Sequence, residues 1–539
     1  WWRASCDTSR YLLGSPSAFG DKGNLRMRYP LLLVLSPLVF RFALLLSAGI
    51  AASGSADTLI INAVIIDGSG APSEHGSVRI SGSHIVAKGD LVLLDTDTVI
   101  DAGGHVLAPG FIDTHSHADA LILSQREALA KVTQGITTVI VGQDGESPYP
   151  LAAFFAALEQ QPAKINVAAF AGHNTLRNEV MHPDTNRSAS EVEVDAMQML
   201  LRSELAAGAL GLSSGLEYEP GIYSTPAEVL LLAQEAARVG GRYISHLRSE
   251  DRWFEDAVEE IIQIGRVTGM PVKISHIKLA MTRLWESAPA LIAQLDAARA
   301  EGIDITADLY PYTYWQSHMM VLLPERDPTD LNAIRFVLHE LAPPDGIIFT
   351  HFPTRPEVVG KTLTEVAGFY GKSAADTFSL LAQESVAYAL KTGEPGDMMI
   401  GTSMTEADVS ALMLWPHTNI CTDGSLLDRH PRGAGSFPKV LGRYVRDLGR
   451  LSLEQAIHKM TGLPAEHMGL TQRGKVAEGY IADLVLFDPA TITDRATTQA
   501  PHQFSEGVSD VWVAGQRVLQ RGINNDTFPG RVLRRRSAD

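Results

Sequence analysis

Four histidines and one aspartate stand out by residue type and by place. His115 and His117, in the run PGFIDTHSH, are separated by a single residue. In an extended segment residues i and i+2 share a face, so both imidazoles can converge on one ion. His246 ends RYISH, His276 ends VKISH and Asp423 ends NICTD. Imidazoles and a carboxylate are the donor set of a catalytic metal, and a carboxylate in such a site can also move a proton. The chemistry this points to is metal-assisted hydrolysis. Arg248 lies two residues past His246, and Lys278 two past His276. If the strands continue, each cation shares a face with its neighbouring histidine and can hold an anionic substrate group. His173 in AGHN, His351 in IIFTHF and His467 in AEHMG also lie near segment ends. We read His173 as lining the site and assisting an oxyanion, and the other two as structural. One histidine at a strand end is ordinarily a packing residue; five such groups in one register are not.

The segments that must position these groups form a regular series. PGFIDTHSH, TTVIVGQDG, NVAAFAGHN, LGLSSGLEY, RYISHLR, VKISHIK, DITADLYPY and NICTDGS are short apolar runs. Mostly Ala/Leu/Glu-rich stretches of helical spacing separate them. Eight such units predict an α/β fold, a TIM-like (β/α)₈ barrel over about 109–465, with its chemistry at the C-terminal strand ends. The stretch from about 315 to 415 is too long for a plain crossover and contains LNAIRFVLHEL and AADTFSLLAQESVAYAL, so it is read as a helical insertion forming a lid. Before the barrel, LIINAVIIDGSG, the hairpin SVRISGSHIVAKG and VIDAGGHVLAPG are strand-rich; after it, ADLVLFD and VWVAGQRVL return to strands. Residues 57–108 and 466–530 are thus expected to build one small β-sandwich domain, with 531–539 a solvated basic tail.

Composition limits the function classes. The chain has 539 residues, 45% hydrophobic and 20% charged, a globular balance long enough for a large domain and a smaller one. Its 45 basic and 62 acidic residues leave a net charge of −17, which disfavours nucleic acid or an anionic membrane as a main partner. A small substrate with a carboxylate, held in a local basic pocket, remains compatible. Two cysteines, Cys6 and Cys421, support neither a disulfide framework nor a cysteine-based zinc site. The first methionine is Met27. Arg28, an apolar run to Ile50 and the small residues AASGSA follow it, the layout of an export signal. Residues 1–26 therefore read as upstream translation and 27–56 as a signal peptide, with a periplasmic or secreted product. Arg41 interrupts the apolar run, so no stable membrane span is expected after processing.

LAPGFIDTHSHAD resembles the first-strand signature of the amidohydrolase superfamily. GITTVIVGQDG, GHNTLR, GLSSGLEYEPG, ISHLRSE, ISHIK, DLYPYT, TDGS, SFPKVLGRYVRD and KMTGLPAEHMGL then follow in the order seen in N-acyl-D-amino-acid deacylases (D-aminoacylases), from about 57 to 525. The resemblance implies that His115 and His117 bind an α metal, that His246 and His276 bind a β metal, and that Asp423 is both a metal ligand and the proton carrier. It implies that Tyr218, Lys278 and Tyr310 hold a substrate carboxylate. One position departs: where the family has a cysteine after the second strand, this chain has Asp144. A carboxylate can ligate zinc in its place, but it is a harder donor that admits Mn²⁺ or Co²⁺. No lysine stands at the ends of the third and fourth runs. One or two zinc ions are expected, and a ligand bridging two would be Asp144 or Glu217, with Glu146 a weaker choice. The implied reaction is hydrolysis of the amide of an N-acyl-D-amino acid. Cleavage of a D-containing dipeptide, a lactam or a cyclic imide is the alternative within the same chemistry. A binding protein that has lost its metal is the reading from another class, and the complete histidine set argues against it.

Overall fold

The computed structural model describes residues 56–535. The readings of 1–26 as upstream translation and of 27–56 as an export signal lie outside the described residues, apart from Ala56. Among the described residues no helix is long and apolar enough to cross a membrane.

Eight parallel strands form the centre: β1 Phe111–Asp113, β2 Ile136–Val141, β3 Asn166–Ala169 continuing in Ala171–Gly172, β4 Gly211–Gly215, β5 Arg242–His246, β6 Val272–Ile274, β7 Ile305–Leu309 and β8 Thr418–Ile420. Every residue of β1, β2, β3, β4, β6, β7 and β8 is buried, as expected of strands covered on both faces. The ring closes just beyond β1 and β8. There Ser116 bridges Gly424, the Asp423 amide donates to the His115 carbonyl at 2.8 Å, and the His117 amide donates to the Gly424 carbonyl at 3.1 Å. Lys131 braces this closure from a buried position, donating to Asp113 at 3.1 Å, the Thr422 hydroxyl at 2.6 Å and the Gly424 carbonyl at 2.9 Å.

Strands from both ends of the described chain, from Thr58–Ile65 to Ile523–Asn524, build one nine-stranded sheet that curls until His84 bridges Ile481. Ile60, Ile65, Val78, Ile80, Leu107, Leu484 and Trp512 fill its core. The SVRISGSHIVAKG segment is the antiparallel hairpin Glu74–Ser81 and His84–Gly89, turning at Gly82 with φ 56°.

Two expectations need correction. The insertion is not purely helical. Tyr314–Ser317, Met398–Thr402 and Ile348–His351 pair as a three-stranded antiparallel sheet, Leu331–Glu340 and Leu363–Tyr370 pack on Ala374–Thr392, and Glu406–Leu414 is the barrel helix leading into β8. These strands are four or five residues long, too short for a period-2 pattern to show against the helices beside them. The described part of the basic tail, residues 531–535, is not free in solvent. The Leu533 amide donates to the Val167 carbonyl at 2.8 Å, the Arg535 amide to the Gly208 carbonyl at 3.0 Å, and Arg534 pairs with Glu159 at 2.6 Å. Apolar Val532 and Leu533 between the arginines give the segment something to bury, which a count of charges alone conceals.

Candidate metal centre

Every candidate ligand sits at a C-terminal strand end. His115 and His117 follow β1, Asp144 follows β2, His246 closes β5, His276 lies two residues past β6 and Asp423 three past β8. Asp144, His276 and Asp423 have left-handed backbones, with φ of 52°, 37° and 49°. That conformation is uncommon outside glycine and concentrates where a chain must aim a side chain. Gly145, next to Asp144, is also left-handed, and a Cβ on it would strike the Asn174 side chain and the Gly215 backbone. The glycine lets the β2 loop press against β3 and β4, which carries the Asp144 carboxylate to the barrel axis.

The side chains converge. Asp144 Oδ2 lies 3.3 Å from His115 Nε2 and 3.4 Å from His117 Nε2, and Asp423 Oδ1 lies 3.4 and 3.2 Å from the same two nitrogens. Four contacts meet there, yet two imidazoles bring at most two N–H protons on these nitrogens. The spacing is close to the edge of a tetrahedron with metal–ligand bonds of about 2.0–2.1 Å, an edge of roughly 3.3–3.4 Å. Asp144 Oδ1 lies 3.2 Å from His276 Nε2, and His276 Nε2 faces His246 Nδ1 at 3.0 Å. Oδ1 is buried and receives no hydrogen bond. The residues therefore fit a divalent ion held by His115, His117, Asp144 and Asp423, and a second held by Asp144, His246 and His276. Glu217 Oε2 contacts the other nitrogen of His246, Nε2, at 3.1 Å, where it accepts a hydrogen bond and fixes the ring with Nδ1 turned inward.

The electrostatics agree. Burial works against the charge on Asp144, but His115 and His276 outweigh it and hold the carboxyl well below the usual range. Burial likewise opposes the charge on Asp423, and Arg432 with His276 and His115 overcomes it. Burial and Lys278 lower His276, yet Asp144 and Glu250 lift it to about 9. Burial alone wins at His115, which is lowered. The cluster draws positive charge toward the Asp144 and Asp423 carboxylates, the place where a cation would sit.

Around this centre the expected substrate residues divide. The Tyr218 ring lies 4.2 Å from that of His246, centroid to centroid. Tyr310 is buried with its hydroxyl unpartnered, under the Arg432 guanidinium at 4.7 Å. Lys278 is at the site, where Glu250 takes it at 2.7 and 2.8 Å and His276 Nδ1 lies at 2.7 Å. Arg248 and His173 are corrections. Arg248 grips Glu260 at 2.7 and 2.8 Å and the Ser224 carbonyl at 2.8 Å, because β5 stops at His246 and the same-face rule no longer applies. His173 begins the helix His173–Met181 and bonds Glu228 at 2.9 Å, in a buried cluster with Arg177. Glu146 is exposed. His467 meets Asn419 at 3.0 Å, away from the site.

Three residues escaped the sequence reading. Arg432 donates to Asp423 Oδ2 at 2.5 Å. Glu250 holds Lys278 and lies 3.1 Å from His276 Nδ1. Asp308 accepts from the His276 amide at 2.6 Å and from the Thr114 hydroxyl at 3.1 Å, and also pairs with Lys273. Glu250, four residues past His246 in HLRSE, had a local cue; Arg432 and Asp308 had none.

A closed parallel barrel with histidines and carboxylates converging at its strand ends is a metal-dependent hydrolase. The chain belongs to the amidohydrolase family, whose pattern it matches over residues 98–339 and 417–519. It is 37% identical over 503 residues to N-acyl-D-glutamate deacylase of Alcaligenes xylosoxydans xylosoxydans, covering 89% of this chain and 96% of that one. The structure of N-acyl-D-glutamate deacylase from Bordetella bronchiseptica, with zinc and a phosphonate mimicking the tetrahedral intermediate, aligns with a TM-score of 0.78 at 36% identity, covering 89% of this chain and all of that one. A D-aminoacylase structure described by its binuclear metal centre aligns equally well, at 0.78 and 35% identity over 89% and 99% of the two chains.

Proposed function

We propose that this protein hydrolyses the amide bond of N-acyl-D-amino acids, releasing a carboxylate and a free D-amino acid. The observation that carries the reading is the convergence of His115, His117, Asp144 and Asp423 on one point, with an unpartnered Tyr310 hydroxyl and the Arg432 guanidinium nearby. The relatives that align over most of the chain support the substrate class. A divalent ion bound here would supply Lewis acidity for the amide carbonyl and lower the pKa of water. Asp423 does the proton work. Arg432 occupies its Oδ2, while Oδ1 faces His115 and His117, on the side where the ion and the attacking water would sit, and is the oxygen placed to take the water's proton. The same oxygen then delivers that proton to the departing nitrogen, which is a poor leaving group until protonated. Tyr310 and Tyr218, with Lys278 once it yields contacts to Glu250, anchor the substrate carboxylate.

The run from Met27 to Ala56 supports export, with the enzyme working in the periplasm or outside the cell; N-terminal sequencing of the mature protein from cell fractions checks this. A panel of N-acetyl amino acids in D and L forms, with D-containing dipeptides and cyclic imides and with free-amine detection, tests the reaction. Turnover confined to N-acyl-D substrates is expected. Turnover confined to dipeptides or cyclic imides would overturn the substrate class and leave the hydrolase.

A further inference from the structure

We propose that His430 is a positioning residue for the proton-transfer group: it ties the amide of Arg432 to the inserted sheet and so fixes the guanidinium that holds Asp423. The inference rests on the reading above, in which Asp423 moves the proton, and goes beyond it in giving the insertion a part in catalysis.

His430 is fully buried, and both of its ring nitrogens are used. Nδ1 accepts from the Arg432 amide at 2.9 Å, and Nε2 donates to the Tyr314 carbonyl at 3.0 Å. A backbone N–H only donates and a carbonyl only accepts, so these partners fix one neutral tautomer. Burial and the neighbouring Arg432 charge hold the ring well below the usual histidine range, which keeps it in that form. Three tyrosines close around it. The rings of Tyr310, Tyr312 and Tyr314 lie 5.9, 5.1 and 4.6 Å away, centre to centre. Packing alone would ask only for an aromatic ring; the two directed bonds ask for an imidazole.

The two bonds join different parts of the chain. Tyr314 opens the inserted strand Tyr314–Ser317, and Arg432 opens the helix Arg432–Lys439 that follows β8. Gln316, on the same inserted strand, donates to Asp428 Oδ1 at 2.9 Å, and that oxygen also accepts from the His430 amide at 3.2 Å. The inserted sheet thus grips the loop after β8 at Asp428 and at His430, just ahead of Arg432. The guanidinium itself has little else to steer it. Beyond Asp423 at 2.5 Å it has, among the described residues, the Tyr310 face at 4.7 Å and Asp428 at 3.8 Å, and its Nε is buried without a partner. Where the Arg432 backbone stands therefore decides which Asp423 oxygen is taken and which is left facing His115 and His117.

A double-mutant cycle on the full chain tests the proposal, read as steady-state amine release from the panel substrate that wild type turns over fastest, at matched metal content. His430→Leu is expected to lower kcat on the order of 100-fold, the cost of about an ångström of misplacement. Arg432→Met is expected to lower it at least as much. The double variant should then fall within about twofold of Arg432→Met alone, because both changes act through one guanidinium. Losses that multiply, or a His430→Leu variant that keeps more than about a third of wild-type kcat, overturn the proposal. Circular dichroism and thermal melts establish folding. If His430→Leu does not fold, His430→Phe, which keeps a ring among the tyrosines and drops both bonds, takes its place; if neither folds, His430 is chiefly structural and the proposal falls. Wild type inert toward the whole panel would remove the hydrolase reading and this proposal with it, whereas an active wild type whose losses multiply removes this proposal alone.

Discussion

Replacing Asp423 by asparagine removes proton transfer, and because Oδ1 also belongs to the ion's donor set the effect is read at matched metal content. Position 423 has φ 49°, which asparagine accepts. Arg432 keeps an oxygen acceptor there, the Tyr310 face at 4.7 Å and Asp428 at 3.8 Å. The fold should therefore lose about 1–3 kcal/mol, as for a weakened hydrogen bond to a charged group, and not the ~3–5 kcal/mol of a stranded buried charge. The reaction loses more. An amide neither takes a proton from water nor returns one to nitrogen, and proton transfer by a placed side chain contributes roughly 10²–10⁴ in rate. That corresponds to about 3–5 kcal/mol of barrier. The assay is steady-state release of free amine from an N-acetyl-D-amino acid, on wild type and variant of matched metal content, with thermal melts alongside. Retention of more than about a tenth of wild-type turnover at full metal content would refute the assignment. A collapse of the melting transition would mean that the Asp423–Arg432 pair is chiefly structural.

Tyr310→Phe deletes a buried hydroxyl that has no protein partner; KM for an N-acyl-D-amino acid should rise roughly tenfold, about one hydrogen bond's worth, while the KM of its neutral amide analogue stays put. Arg248→Ala should lower the melting temperature modestly through the lost Glu260 pair and leave KM within about twofold, since that pair is partly exposed; a large rise in KM on charged substrates alone would restore it to the substrate site. His467 is held neutral by burial and by His417, Arg299 and Lys459, down to about 3. Between its unfolded value of about 6.5 and 3, the unfolded chain binds the extra proton, so this contribution is present above about pH 6.5 and is lost as pH falls through that window. His467→Asn should flatten the decline in denaturant-derived stability by up to about one proton; an unchanged slope would show that the ring stays accessible.

The barrel was legible because its strands are short, apolar and separated by helices of different period, and because their ends carry unusual residues. His115, His117, His246, His276 and Asp423 meet as their strand-end positions imply. Arg248 was misplaced by extending the strand two residues too far, whereas Lys278 reached the site although β6 ends at Ile274 and His276 is left-handed. The alternation rule holds only while the backbone remains extended. His173 misled because it starts a helix and does not finish a strand. Arg432 and Asp308 act through contacts that no local pattern encodes: Arg432 lies in a loop-to-helix segment and Asp308 inside β7, facing the β1 and β6 ends.

The ring's last join, between Ser116 and Gly424, is a single bridge, where the β4–β5 pairing runs from Gly211 to Gly215 along its whole length. His117 and Asp423 stand on opposite sides of that join, 306 residues apart in sequence. A cation gripped by both works as a rivet through the thinnest part of the hoop. Because it binds the closed form and not the unfolded chain, its occupancy adds stability by mass action. Chelation should therefore speed hydrogen exchange first at the amides of His117 and Asp423 and leave the β4–β5 amides nearly untouched. In mechanical terms the centre is also the barrel's fastener, and metal loss would be felt as slack in the hoop before it is felt as unfolding.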